Sequence, residues 1–304
     1  MLASGELAWS LEFASLHAVA AGDGLVFLSV PAAIQALAAG DGSVRWRLPV
    51  EGRVASPMLW DQGWLVAVSD AGTAMAIRAR DGQVIWQKPL GAVTRVIPAL
   101  GANRAYFALD DGRVVARQLA TGEAIWERRL GGRPAQILVL DDRLFVGAND
   151  NVLYCLATAD GAVKWRWRAG ADVVGRPAAD EVTVYFVSLD HMMRALNRKN
   201  GKQRWRRFLA TRPSGGPLPF DGDTLLVAGI AAEVWAYKCK DGALVAEVSA
   251  PAELAAPPHA ARLSDPDRPI LFLLTLEGRM QVLGHASLEH PVKGLPPCLS
   301  WPGL

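Results

Sequence analysis

Between His191 and Phe220 the chain carries Arg194, Arg198, Lys199, Lys202, Arg204, Arg206, Arg207 and Arg212, and not one carboxylate. Just upstream, Lys164, Arg166 and Arg168 alternate with Trp165 and Trp167. Side chains along a strand point to opposite faces in turn, so this period of two puts three cations on one face and two indoles on the other. Guanidinium groups grip carboxylates through paired hydrogen bonds and stack on aromatic rings. The chemistry on offer is therefore recognition of acidic groups. The same charges also suit a solvated outer strand, where they block pairing with another chain.

Other reactive residue types are present without a catalytic pattern. His17, His191, His259, His285 and His290 show no HxxxH or HExxH spacing, and there is no GxSxG or phosphate-binding loop. Cys155, Cys239 and Cys298 form no CxxC and no adjacent pair, which reads as free thiols. Asp110-Asp111 and Asp141-Asp142 fall at expected turns, where carboxylates cap backbone amides. Asn149-Asp150-Asn151 has oxygen ligands of the kind calcium takes, but neither the spacing nor the bidentate Glu of an EF-type loop follows. No catalytic centre, metal or cofactor is expected.

Composition narrows the partners. The net charge is +2 over 304 residues, so no global field attracts nucleic acid, and no aromatic RNA-binding motif is present. Hydrophobic residues make up 51% and charged residues 20%, enough for a continuous core. No apolar run reaches the roughly 18 residues of a membrane helix. Glu6, Glu12 and His17 interrupt the one stretch that a signal peptide would need. The expectation is cytoplasmic if Met1 is the true start and exported if it is not.

What must position these residues is a repeat. Asp41-Gly42 precedes Trp46, Asp81-Gly82 precedes Trp86, Thr121-Gly122 precedes Trp126, Asp160-Gly161 precedes Trp165, and Asn200-Gly201 precedes Trp205. A sixth copy, Asp241-Gly242, has Ala246 in place of the Trp, and Gly5 with Trp9 forms a further copy at the N-terminus. A period of roughly 40 residues with strand-like runs inside it is the mark of a β-propeller, one unit per blade. Within 54–88 four short strands are expected, at 54–60, 64–69, 74–79 and 84–88. The second-strand runs, such as Leu25–Val30 and Arg104–Leu109, are mostly apolar, as in strands buried on both faces. Asp-Gly and Asn-Gly supply the turn between the third and fourth strands. Ten residues before each Trp the side chain is small: Ala36, Ala76, Ala116, Cys155 and Ala195. A small residue gives an indole a flat surface to stack on. Trp9, Trp46, Trp86, Trp126, Trp165 and Trp205 are therefore expected to form a structural girdle between blades.

Small residue, Gly turn and Trp in this register resemble the docking motif of the PQQ-type propeller repeats. That family includes quinoprotein dehydrogenases and BamB-like subunits of outer-membrane assembly machinery. The resemblance covers roughly residues 5–285. It departs at the family's Asp, replaced here by Ala38, Arg78, Gln118, Ala157, Asn197 and Lys238, so the hydrogen bonds that Asp makes should be missing. It implies an all-β, seven-bladed propeller of four-stranded antiparallel blades, closed by the N-terminal strand completing the last blade. Residues 1–285 are expected to form a single domain, and 286–304 a Pro-rich tail. A quinoprotein would imply a longer chain of eight blades, a vicinal disulfide and a calcium site. The chain resembles that scaffold without its active site.

The expected function is a non-catalytic protein-interaction scaffold, BamB-like in envelope protein assembly and part of a larger complex. A sensor propeller holding a small molecule is the alternative, and a quinoprotein-type oxidoreductase a remote one. Loops after the fourth strands converge on one face of a propeller. They place Arg53, Arg133, Arg168 and Arg212 as the candidate contacts to an acidic protein or peptide.

Overall fold

The computed structural model describes residues 9–12, 18–230, 232–261 and 269–284. Every regular element among them is a strand, and the fold is a seven-bladed β-propeller. The blades span 18–49, 59–89, 99–129, 134–168, 173–208, 218–249 and 259–283. Each of the first six is a four-stranded antiparallel meander, and the last has three strands, His259–Ala261, Ile270–Leu274 and Met280–Leu283. The first strand expected at 54–60 is shorter, Leu59–Asp61, because Val54 meets Ser69 only through an isolated bridge. Contacts divide the chain into two compact units, one of residues 1–146 and 155–164 and the other of 147–154 and 165–304.

The second strands are largely apolar because neighbouring blades cover both of their faces. In Trp64–Val68 of the second blade, Leu65 and Ala67 pack with Phe27, Ile34 and Ala36 of the first. Val66 and Val68 point the other way and pack with Ala105, Phe107 and Leu109 of the third. The period of two thus serves two cores at once. In the second unit, Tyr185, Val187 and Ala195 of the fifth blade meet Leu225, Val227 and Trp235 of the sixth in the same way. Ala246, in the Trp-less repeat, lies with Val248 against Leu271, Leu273 and Leu283 of the last blade.

The Gly turns and the Trp work as one device. Asp41, Asp81, Asp160, Asn200 and Asp241 each accept, through Oδ1, the amide two residues on, and Thr121 does the same with its hydroxyl. This Asx-type turn sets the third-to-fourth strand hairpin. Ala36, Ala76, Ala116 and Ala195 lie directly across the hairpin from Trp46, Trp86, Trp126 and Trp205, each next to a bulge that swings the indole outward. The surface on which the indole rests is the turn glycine of the following blade: Trp46 on Gly82, Trp86 on Gly122, Trp126 on Gly161, Trp165 on Gly201 and Trp205 on Gly242. Each Nε1 also donates to a carbonyl there, of Ala79, Leu119, Thr158, Arg198 and Cys239, at 2.7–3.1 Å. Trp9 repeats the pattern on Gly42 and the Ala39 carbonyl. Residues 5–8 of the segment expected to close the last blade, and the tail at 286–304, lie outside the described residues.

At the positions of the missing family Asp, Asn197 takes over its work, accepting the amides of Lys199 and Asn200. Arg78 and Lys238 instead form ion pairs with Asp81 and Asp223.

Candidate functional site

The loops after the fourth strands are pinned to the following blade before they present anything to solvent. In the first unit, Asp70 donates its amide to the Arg53 carbonyl and accepts the Arg53 amide at 3.2 Å. It also pairs with the Arg53 guanidinium at 3.3 Å. The Arg53 amide, with the charge beside it, holds the Asp70 carboxyl below the usual carboxylate range. Arg95 pairs with Asp110 at 3.6 Å. Arg113 bridges Asp111 at 2.7 Å and Glu127 at 2.9 Å. Arg53 and Arg95 on these loops, and Arg113 at the start of a third strand, are each answered by a nearby carboxylate. Arg133 is exposed just before the first strand of the fourth blade.

The second unit is built differently. Asp190, at the turn after the second strand of the fifth blade, accepts the Gly170 amide at 3.0 Å, tying down the loop that follows Arg168. Arg194 grips the same carboxylate at 2.6 Å, and the Ser188 hydroxyl donates to it at 2.5 Å. Burial works to raise the pKa of Asp190. The Arg194 and Ser188 hydrogen bonds and the Arg194 charge outweigh it and hold the group at about 2. Arg194 lies over the Trp167 ring, 5.1 Å from its centroid, and Trp167 meets Phe186 edge-on. Of the basic run from 191 to 220, Arg194 is therefore a buried structural cation, not a member of a solvated strand. The spacing Asp190 to Arg194 across a tight turn is the signal that could have revealed it.

Above this foundation Arg168 ends its strand exposed, beyond Trp167, as the alternation with the indoles requires. Arg212 is exposed in the next loop, and its carbonyl accepts the Ile230 amide at 3.0 Å. Neither guanidinium has a hydrogen-bond or ion-pair partner among the described residues. Between them in sequence stands Phe208, 69% exposed and stacked on His191 at 5.9 Å with ring planes 14° apart. Ile230, backed by Arg212, is 57% exposed. In the sequence His191 stands out only as one of five histidines without a catalytic spacing, and neither Phe208 nor Ile230 is singled out by any motif. Exposed aromatic and aliphatic side chains beside unpaired arginines are the composition of a protein-binding patch.

The turns at the opposite ends of the strands offer two grooves, one in each unit. One of about 380 Å³ includes Asp23, Trp64, Arg78 and Arg80. The other, of about 460 Å³, includes Asp180, Glu181, Tyr185, Arg204 and Asp223. Their charges are largely spent: Arg78 and Arg80 pair with Asp81, and Asp180 accepts the Tyr185 hydroxyl and two amides. Among the described residues no group of three or more His, Cys, Asp or Glu is placed to hold a metal ion. No helix there is long and apolar enough to cross a membrane. Cys155 is buried beside Arg143.

Stacked four-stranded blades, each keyed to the next by an indole on a turn glycine, define a PQQ-type propeller. The family described as outer membrane protein assembly factor BamB matches residues 2–138, 132–214 and 194–271, and the chain belongs to it. Among solved structures, BamB from Moraxella catarrhalis is similar at a TM-score of 0.58 and 16% identity, over 90% of this chain and 99% of that one. The computationally designed Ika8 protein has a TM-score of 0.73 at 13% identity, over 88% of this chain and 82% of that one. The C-terminal WD40 domain of Sif2 has a TM-score of 0.70 at 12% identity, covering 88% and 80%. These likenesses speak for the fold. Comparison with curated protein sequences gives no significant match.

Proposed function

We propose that this chain is a non-catalytic scaffold in a BamB-like envelope assembly complex. In this reading it holds an acidic segment of a partner protein on the loop edge of its fourth to sixth blades. The observation that carries the proposal is the contrast between Arg53, Arg95 and Arg113, each paired with a carboxylate, and Arg168 and Arg212, exposed and unpaired beside Phe208 and Ile230. Arginine forks supply paired hydrogen bonds to carboxylates, and the exposed ring supplies an apolar anchor. Arg53 and Arg133 stand on loops of the same class in the first unit.

The test is charge reversal at Arg168 and Arg212 together, with unfolding curves and a pull-down from the native host under matched salt. The expected result is an unchanged melt with loss of the partners retained by the unaltered protein. Retention of the same partners by a folded Arg168→Glu/Arg212→Glu variant would overturn the assignment.

A further inference from the structure

In five blades the loop that enters the blade is hydrogen-bonded to the turn after the second strand. The residue opening that turn donates its amide to a loop carbonyl: Asp70 to Arg53, Asp110 to Val93, Leu189 to Asp172, Ile230 to Arg212 and Leu276 to Glu253, at 2.8–3.0 Å. The fold asks only for that amide, so the side chain is free to vary. In the second and third blades it is a carboxylate that answers an arginine of the same loop, Asp70 for Arg53 and Asp110 for Arg95. From the fifth blade on it is aliphatic. Leu189 is half-buried, and Asp190 beside it takes over the loop amide and Arg194. Ile230 and Leu276 stand 57% and 65% exposed. Arg212 holds the place of Arg53, and it lacks a counter-charge because Ile230 holds the place of Asp70. Glu253, exposed on the loop entering the last blade, also has no ion-pair partner among the described residues.

These two aliphatic side chains are not scattered. Ala250 donates its amide to the Ala232 carbonyl, in the turn of Ile230, and three residues on Glu253 accepts the Leu276 amide. Three residues reach at most about 11 Å. One short loop therefore ties the two turns side by side, with Pro251 exposed on it and Leu274 exposed next to Leu276. Beneath them Ala228 and Val234 pack with Leu271 and Leu273 in a common core, so the two turns stand on a fixed base. The exposed apolar surface is flanked by a free cation on the side of the sixth blade and a free carboxylate on the side of the seventh.

We propose that the turns of Ile230 and Leu276 form a two-point aliphatic anchor for the partner segment, carrying the docking surface onto the seventh blade. The occupant is a protein segment with an acidic residue for Arg212, two aliphatic residues about three apart in extended chain, and a basic residue for Glu253. A nucleic acid or an anionic membrane supplies only one sign of charge and would meet repulsion at Glu253. The acidic contact rests on the loop-edge reading given above; the aliphatic anchors rest on their own exposure and spacing.

The test is a methyl NMR titration of the full chain labelled at isoleucine and leucine methyls, at constant ionic strength. The two signals are identified by their loss in Ile230→Ser and Leu276→Ser. The probes are a blocked Gly-Asp-Leu-Ser-Ser-Leu-Lys-Gly peptide and its counterpart with both Leu replaced by Ser. The expected result is a saturable shift of both methyl signals with the first peptide, and affinity about tenfold lower for the second. Ile230→Ser and Leu276→Ser should each weaken the first peptide about tenfold, read at the remaining methyl, and both should melt as the unaltered protein does because the side chains are exposed. Arg212→Glu and Glu253→Lys should weaken it as well. No saturable shift with either peptide would overturn the proposal. Equal affinity for the two peptides, lost in Arg212→Glu, would overturn the aliphatic anchors and leave the loop-edge reading standing. Preference for the first peptide that Arg212→Glu does not alter would support the anchors and overturn the loop-edge reading.

Discussion

Replacing Gly122 with Ala isolates what keys one blade to the next. Gly122 has a φ of +73°, and an added Cβ would lie 2.5 Å from Cδ2 of Trp86. Gly24 has nearly the same φ, +71°, and an added Cβ there meets nothing within 4 Å. Both substitutions carry the left-handed backbone cost of about 1–2 kcal/mol. Only Gly122→Ala must also displace an indole that is 6% exposed and hydrogen-bonded to the Leu119 carbonyl at 2.7 Å. Overpacking of that kind costs about 1–3 kcal/mol more. Gly24→Ala should therefore cost about 1–2 kcal/mol and Gly122→Ala about 2–5 kcal/mol. With a urea slope of about 2 kcal/mol/M, a 2 kcal/mol difference separates the midpoints by about 1 M. Far-UV circular dichroism in urea reads both. In a Trp86→Ala background the indole is gone, and the extra cost of Gly122→Ala should vanish, a coupling visible in the double-mutant cycle. Equal costs for the two glycine variants, or a Gly122→Ala cost that survives loss of Trp86, would refute the keying argument.

Asp190 contributes stability through a pKa held at about 2, below the ordinary 3.8, so its contribution is full above about pH 4 and is lost as pH falls toward 2. The shift corresponds to about 2 kcal/mol. Asp190→Asn should therefore lower stability by about that amount at pH 7, with the gap closing near pH 2, and a gap independent of pH would contradict it. Burial pushes the Cys239 thiol up to about 11 and raises that of Cys155. In a Cys298→Ser chain, iodoacetamide at pH 8 should label neither before unfolding, and prompt labelling of native protein would count against the burial argument. Cys155→Ala should change stability by less than about 1 kcal/mol in urea unfolding, as a volume-tolerant core swap does.

The repeat was legible because its parts are local. Asp41, Gly42 and Trp46 lie within one hairpin, and the same spacing recurs until its register defines the blades. Less legible was what the indole touches. Trp46 donates to Ala79 across 33 residues, in the next blade, so the small residue opposite it was read as the stacking surface when the turn glycine is. The basic run from 191 to 220 was visible as composition, but composition does not separate Arg194, closed over Asp190, from Arg212, exposed on a loop. Phe208 and Ile230 stand out only once burial is known, because their exposure depends on where a strand ends.

The most direct test of the loop-edge assignment is site-specific photocrosslinking in the native host. A crosslinker replaces Phe208 in one chain and Lys202, in the turn just before the opposite end of the same strand, in another. The account predicts a covalent adduct from position 208, mapping by mass spectrometry to an acidic segment of one partner, and none from 202. An adduct from 202 with position 208 silent would contradict it.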